Sequence, residues 1–286
     1  MSVWNCPACD NEIDDRIGRA ALSLAVEQPV QFYSCNNCGN MYAPTAASLA
    51  SALYASREST NFSPSKSRIF RSLKKIVLRM RYGSRSKSLG VQRLVDVGCG
   101  NGDLANALVG IVPSIMAVDV PESRPDNLHD QIEYQCTTSF DLSGTKSQGA
   151  TVFVLRHVLE HFENPVAQLQ VLAKNAKSDD FFLIETPTKD SIFRFLMGSG
   201  WPGYFPPFHV TVLTEKSLCQ VAKRAGLEVV EVKKCEPPIL GTYLTQKTKA
   251  LPNVMRSIGV ILYPAQLLLS KMSGRSEAIE ILMKKP

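Results

Sequence analysis

Residues 94–104, Leu-Val-Asp-Val-Gly-Cys-Gly-Asn-Gly-Asp-Leu, constrain the chain more than any other stretch. A short run rich in Val and Leu stops at Gly98, Gly100 and Gly102, and an apolar helical pattern (Leu104, Ala105, Ala107, Leu108) follows at once. This reads as a buried parallel strand, a tight turn and a helix. Glycine suits such a turn where φ is positive or where a ligand presses against the backbone. The helix that follows points free N–H groups into the same crevice, which suits a polar or anionic ligand. Spacing excludes two other nucleotide loops. No lysine follows the last glycine, as a GxxxxGK[ST] loop requires, and position 103, where GxGxxG needs its third glycine, holds Asp103.

The rest of the chain repeats this alternation. Apolar runs at 114–118, 132–136, 150–155, 181–187, 227–232 and 277–283 read as six further strands. Helical patterns lie between them, one opening at Pro165 and one after the cap candidate Thr214. The expected architecture is α/β: a doubly wound, mostly parallel, seven-stranded Rossmann-like sheet. Asp119 closes the second strand about 20 residues beyond the glycines, where a carboxylate can accept both hydroxyls of a ribose.

At the N-terminus, Cys6-Pro7-Ala8-Cys9 and Cys35-Asn36-Asn37-Cys38 form two Cys-x-x-Cys knuckles. Paired knuckles suit a tetrahedral Cys₄ zinc site, and four thiolates leave no open position for chemistry, so the expected role is structural. The chain opens Met1-Ser2-Val3-Trp4 without a secretory pattern, so its eight cysteines are expected to be thiols and metal ligands in a cytoplasmic protein. The net charge of +6 is uneven: residues 66–93 carry only basic charges. There Ile69, Leu73, Ile76 and Met80 share one helical face, with Arg68, Arg71, Lys75 and Arg79 largely off it. Such a helix either packs on the sheet edge or contacts anionic lipid headgroups or a polyanionic substrate.

His157-Val-Leu-Glu-His161-Phe-Glu-Asn-Pro165, with the glycine motif, resembles the corresponding stretches of class I S-adenosylmethionine-dependent methyltransferases. The block 203–209 (Gly-Tyr-Phe-Pro-Pro-Phe-His) followed by the helix at 215–226 is similar to that family's Pro-Pro-x-His block, and the knuckles resemble those of its zinc-ribbon members. The resemblance implies that Asp96, Gly98, Cys99, Gly100, Asn101 and Gly102 wrap the cofactor's methionine and ribose, with Asp119 on the ribose hydroxyls and Val120 beside it. Leu155 and Arg156 would face the amino-acid end. Thr138 stands where the family usually has an Asp or Asn for the adenine amine, with Asp141 nearby, and Thr151 stands where strand four commonly begins with Asp.

An oxygen or nitrogen acceptor benefits from a base titrating near neutrality. His209, in a loop with Trp201, Tyr204, Phe205 and Phe208, and His157, just beyond strand four, are the candidates. The expected organisation is a zinc ribbon at 1–44 and a helical linker with the basic helix at 45–90. A methyltransferase domain follows at 91–286, with an insert at 237–275 whose apolar run is broken by Pro264. The expected activity is O-methylation of a small molecule, sugar or glycan precursor, with S-adenosylmethionine and structural zinc as cofactors. RNA or protein methylation, and an inactive scaffold, are the alternatives. Segments 66–93 and 254–270 are candidates for a peripheral contact with anionic membrane; nucleic acid is the weaker partner.

Overall fold

The computed structural model describes residues 4–13, 18–22, 28–46, 48–50, 68–142, 149–248 and 252–286. Residues 51–67 of the expected helical linker at 45–90 lie outside these. The chain opens with β1 (Trp4–Asn5), β2 (Glu12–Ile13), β3 (Gly18–Ala21), β4 (Val30–Ser34) and β5 (Met41–Tyr42). Then follow β6 (Arg93–Val97), β7 (Ser114–Asp119), β8 (Glu133–Cys136), β9 (Thr151–Arg156), β10 (Phe181–Pro187), β11 (Thr211–Val212), β12 (Glu228–Cys235) and β13 (Ala278–Lys284).

Seven of these form one sheet in the order β12-β13-β10-β9-β6-β7-β8. Pairing is parallel from β10 through β9 and β6 to β8, and β13 enters antiparallel between β10 and β12. The expected mixed α/β sheet is therefore present. Its central strands are buried on both faces, which is why they read as continuous apolar runs. Val95, Val97, Met116, Phe153, Phe182 and Ile184 face one layer with Leu169, Leu218 and Val221 of the helices Pro165–Asn175 and Glu215–Arg224. Leu94, Ile115, Val152, Val154 and Leu183 face the other, with Leu104 and Leu108 of the helix Asp103–Leu108. Asn164 caps the first of those helices by accepting the Ala167 amide at 2.9 Å, and Thr214 caps the second through a reciprocal box with Ser217.

Two features depart from the sequence pattern. The basic helix Arg68–Leu78 runs into a π-helical turn, Arg79–Gly83, which rotates the following residues about the axis. Leu78 and Tyr82 are buried, whereas Leu73, Ile76, Val77 and Met80 are more than half exposed. Leu73, Ile76 and Met80 of the expected apolar face thus point outward. In the insert, Pro264 does not break the helix Pro252–Ser273, which continues through it. Tyr263 Oη donates to Glu236 O at 2.5 Å, and Gln266 Oε1 accepts the Ile239 amide at 3.1 Å, so tertiary bonds hold both sides of the proline. Among the described residues no helix is long and apolar enough to cross a membrane.

Candidate functional site

β6 ends at Val97, and the backbone then turns through Gly98, Gly100 and Gly102 with φ of +70°, +53° and +72°. The outer two are packed. A Cβ on Gly98 would stand 2.5 Å from Val158 Cγ2, and one on Gly102 would stand 2.4 Å from Leu128 Cδ1. At Gly100 nothing lies within 4 Å. The central glycine alone of the three presents bare backbone to open space, where a ligand can lie against it.

Beneath the loop, buried Asp96 accepts the Ala105 amide with Oδ2 at 3.2 Å and so ties the helix Asp103–Leu108 to the strand. Burial pushes its carboxyl up to about 7, against the pull of that amide. Asp119, at the end of β7, accepts the Gly100 amide with Oδ2 at 2.6 Å and the Val120 amide with Oδ1 at 2.7 Å. Each oxygen retains a second lone pair for a ligand hydroxyl. Cys99 packs beneath the turn, and Asn101 O receives Asn127 Nδ2 at 2.9 Å. Leu155 pairs with Val97 in register, and Arg156 follows it at the end of β9. Exposed Thr138 lies two residues past β8, next to Thr137, whose amide donates to Asp119 O at 2.9 Å. These residues therefore gather at the C-terminal ends of the parallel strands.

The rim beside them carries buried charge. His157 sits at φ +56° with its amide donating to Glu185 O at 2.8 Å. Its Nδ1 lies 3.4 Å from Glu160 Oε1 and its Nε2 3.5 Å from Glu185 Oε1. Burial lowers this imidazole, but the two carboxylates outweigh burial and raise it to about 9. Glu185 is a hub: Tyr82 Oη donates to it at 2.5 Å and Arg81 Nη1 lies 2.9 Å away. Against burial, His157 first and then Arg156 and Arg81 hold its carboxyl well below the usual range. His209 is 8% exposed, and its Nδ1–H donates to Gly203 O at 2.8 Å. Burial, followed by the neighbouring His161, lowers it to about 4. Of the two candidate bases, His209 is neutral but enclosed, and His157 is a third exposed but charged.

A family model described as a methyltransferase domain matches residues 65–232. The chain belongs to the class I methyltransferases. The methyltransferase is 23% identical over 168 residues to the ubiquinone biosynthesis O-methyltransferase of Thiobacillus denitrificans, spanning 54% of this chain and 72% of that one. The corresponding protein of Neisseria meningitidis is 26% identical over 171 residues, with the same coverage. Among solved structures, a SAM-dependent methyltransferase from Archaeoglobus fulgidus superposes with a TM-score of 0.50 at 21% identity, over 75% of this chain and 94% of that one. That likeness is one of fold.

At its N-terminus the methyltransferase brings Cys6, Cys9, Cys35 and Cys38 together, all four Sγ atoms within 4.8 Å of one another. The two knuckles repeat one geometry. Asp10 N–H donates to Cys6 O at 2.8 Å and Gly39 N–H to Cys35 O at 2.9 Å, with Asp10 and Gly39 both at positive φ. Cys6 Sγ–Cys38 Sγ is 3.6 Å and Cys9 Sγ–Cys35 Sγ 3.5 Å, so all four are free thiols. A tetrahedral ion with Zn–S near 2.3 Å places its sulfurs about 3.8 Å apart, so the cluster fits a zinc ribbon. The ribbon is not a loose appendage. β5 pairs with β11, next to His209, in the small sheet β11-β5-β4-β3, and Thr214 Oγ1 donates to Cys38 O at 2.8 Å.

Sequence reasoning passed over Glu160, Glu185, Arg81 and Tyr82. Glu185 had a signal: it is a lone charge inside the apolar run of β10. Tyr82 and Arg81 had none, because their role depends on a contact across about a hundred residues of chain.

Proposed function

We propose that this methyltransferase transfers a methyl group from S-adenosylmethionine to a hydroxyl of a small molecule. The observation that carries the reading is the open face of Gly100 beside the Asp119 carboxylate at the C-terminal end of β6 and β7. Bound there, the cofactor supplies an electrophilic methyl on a sulfonium. Gly100 gives it backbone contact, and Asp119 accepts from its ribose diol. Asp96 keeps the loop and the helix Asp103–Leu108 in place. Val120, Thr138 and Arg156, with the backbone of buried Leu155, stand at the same strand ends.

On the acceptor side, His157 is the motif histidine with the more accessible ring, and we assign it to the acceptor. Oriented by Glu160 and Glu185, it holds the hydroxyl in line with the methyl donor. His209, enclosed behind Gly203, shapes the loop. Trp201, Tyr204 and Phe208 are buried in that loop, the first two in the core beneath the small sheet, so partly open Phe205 is the aromatic ring left to meet an acceptor. The two ubiquinone biosynthesis relatives are O-methyltransferases by name, which supports oxygen as the acceptor atom.

The test is calorimetry with S-adenosylmethionine and S-adenosylhomocysteine, then transfer of a labelled methyl group to catechols, polyhydroxylated sugars and RNA. Saturable cofactor binding with label on a hydroxylated small molecule is expected. Absence of cofactor binding, or label only on RNA or protein, overturns the reading. The four cysteines are assigned to one structural zinc.

A second reading concerns the surface. Exposed Leu73, Ile76, Val77 and Met80 lie beside Arg71, Lys75 and Arg79, and the helix Pro252–Ser273 exposes Ile261, Leu268 and Met272. Apolar residues flanked by basic ones fit an anionic membrane surface. Co-sedimentation with vesicles containing phosphatidylglycerol, but not with purely zwitterionic ones, is expected. Equal recovery with both kinds would remove this proposal.

A further inference from the structure

Behind the acceptor rim lies a second group of metal-ligating side chains. Glu160 sits in the 3₁₀ turn Leu159–His161, one turn past β9, and is 1% exposed. Neither of its carboxylate oxygens accepts an aligned hydrogen bond among the described residues. Oε1 has His157 Nδ1 at 3.4 Å and His209 Nε2 at 3.8 Å, and Oε2 has no such neighbour. The ion pair with His157 compensates the charge, but a buried Oε2 with no donor is costly unless a further partner joins it.

The two neighbouring histidines are prepared alike. His161 Nδ1 lies 2.8 Å from Phe208 O, and His209 Nδ1 lies 2.8 Å from Gly203 O. A carbonyl can only accept, so each Nδ1 carries a proton, and in the neutral ring Nε2 is the nitrogen left to ligate a metal. This is how the outer shell of a metal site orients its imidazoles. The rings meet edge to face with centroids 4.9 Å apart, and one ligand atom from each of Glu160, His161 and His209 falls within 4.8 Å of the others. The Val210 amide donates to Glu160 O at 2.8 Å, fixing the loop of His209 against the turn of Glu160.

We infer that Glu160, His161 and His209 bind one divalent transition-metal ion, distinct from that of the cysteine cluster. Ligand atoms around such an ion stand about 3.0–3.5 Å apart, so the 3.8 Å between Glu160 Oε1 and His209 Nε2 closes with a shift of a few tenths of an ångström, and the other pairs, all within 4.8 Å, with about 1–2 Å at most. Two imidazoles and one carboxylate select Mn²⁺, Fe²⁺, Co²⁺ or Zn²⁺ over Mg²⁺ or Ca²⁺, which take oxygen ligands. Three protein ligands leave open positions, and a hydroxylated acceptor offers an oxygen to fill one. That last role rests on the acceptor proposed above; the ion site does not.

The test uses the full chain with its ribbon metal in place. Titration with Mn²⁺, followed by its electron paramagnetic resonance signal, should show one saturable site per chain. Glu160→Gln should weaken it at least tenfold, His161→Gln likewise, and Lys234→Gln, remote from the cluster, should leave it intact. Titration of the wild type with Co²⁺ should add ligand-field bands without new thiolate charge-transfer absorption, a readout that stands even if a variant misfolds. No saturable Mn²⁺ or Co²⁺ site in the wild type, undiminished affinity in folded Glu160→Gln, or a Co²⁺ spectrum of thiolates alone would overturn the assignment. Cofactor affinity measured on the same samples separates this failure from failure of the methyltransferase reading.

Discussion

Asp119 and Gly100 close the cofactor loop onto its neighbouring strand: the carboxylate Oδ2 accepts the glycine amide at 2.6 Å. The same carboxylate is the proposed holder of the ribose diol. Asp119→Ala should therefore weaken S-adenosylmethionine binding by about 1.5–3 kcal/mol, roughly ten- to a hundredfold, through lost charge-assisted bonds. Calorimetry measures this directly, and an unchanged affinity would place the ribose elsewhere.

The three glycines separate packing from binding. Gly98→Ala and Gly102→Ala each drive a methyl to within 2.5 Å of Val158 or Leu128 and also bear the strain of positive φ, so each should lower folding stability by about 2–5 kcal/mol. Gly100→Ala meets no neighbour and carries only the strain of positive φ, about 1–2 kcal/mol. It should nonetheless lose the most cofactor affinity relative to its stability change. Urea denaturation beside calorimetry ranks the three, and equal ratios across them would refute the distinction.

Elemental analysis of freshly purified protein should find at least one tightly held zinc per chain. Cys35→Ser should hold one zinc fewer than the wild type and melt several degrees lower. An undiminished zinc content in that variant would show that the thiolates are not ligands.

Glu277 gives a pH signature. It is buried, accepts Trp201 Nε1–H at 2.8 Å and is bonded by Ser191. Burial raises its carboxyl to about 8, although those donors pull it down. The folded state therefore binds a proton more tightly than the unfolded chain, whose glutamate titrates near 4.3. Its contribution is fully present below that value and is lost as pH rises through about 8. Glu277→Gln mimics the protonated form and should flatten this decline, gaining up to about 5 kcal/mol over the wild type at pH 9 relative to pH 4. Parallel denaturation curves at each pH would contradict it.

The glycine turn, the end of β7 at Asp119, the clustering of the four cysteines, the helix start at Pro165 and the cap at Thr214 are legible in the sequence because each depends on local spacing. The Glu185 hub is not, since it joins Tyr82, Arg81 and His157 from three distant segments. The outward face of Arg68–Leu78 is concealed for a different reason. Helical periodicity shows which residues share a side, but it is silent on which side meets the protein, and the π-turn resets the phase before Tyr82. Pro264 misleads because a proline's local penalty is weighed against tertiary anchors on Tyr263 and Gln266 that lie outside any short window.

The pairing of β5 with β11 bears on how such proteins can be recombined. A ribbon joined only by a tether could be exchanged between enzymes as a cassette. Here the sheet of the ribbon borrows its last strand from residues two and three beyond His209, so a transplanted ribbon would arrive with a missing edge and leave the donor with a frayed loop. The two parts are bound to be inherited together, and chimeras should be cut around both segments rather than at the junction near residue 44.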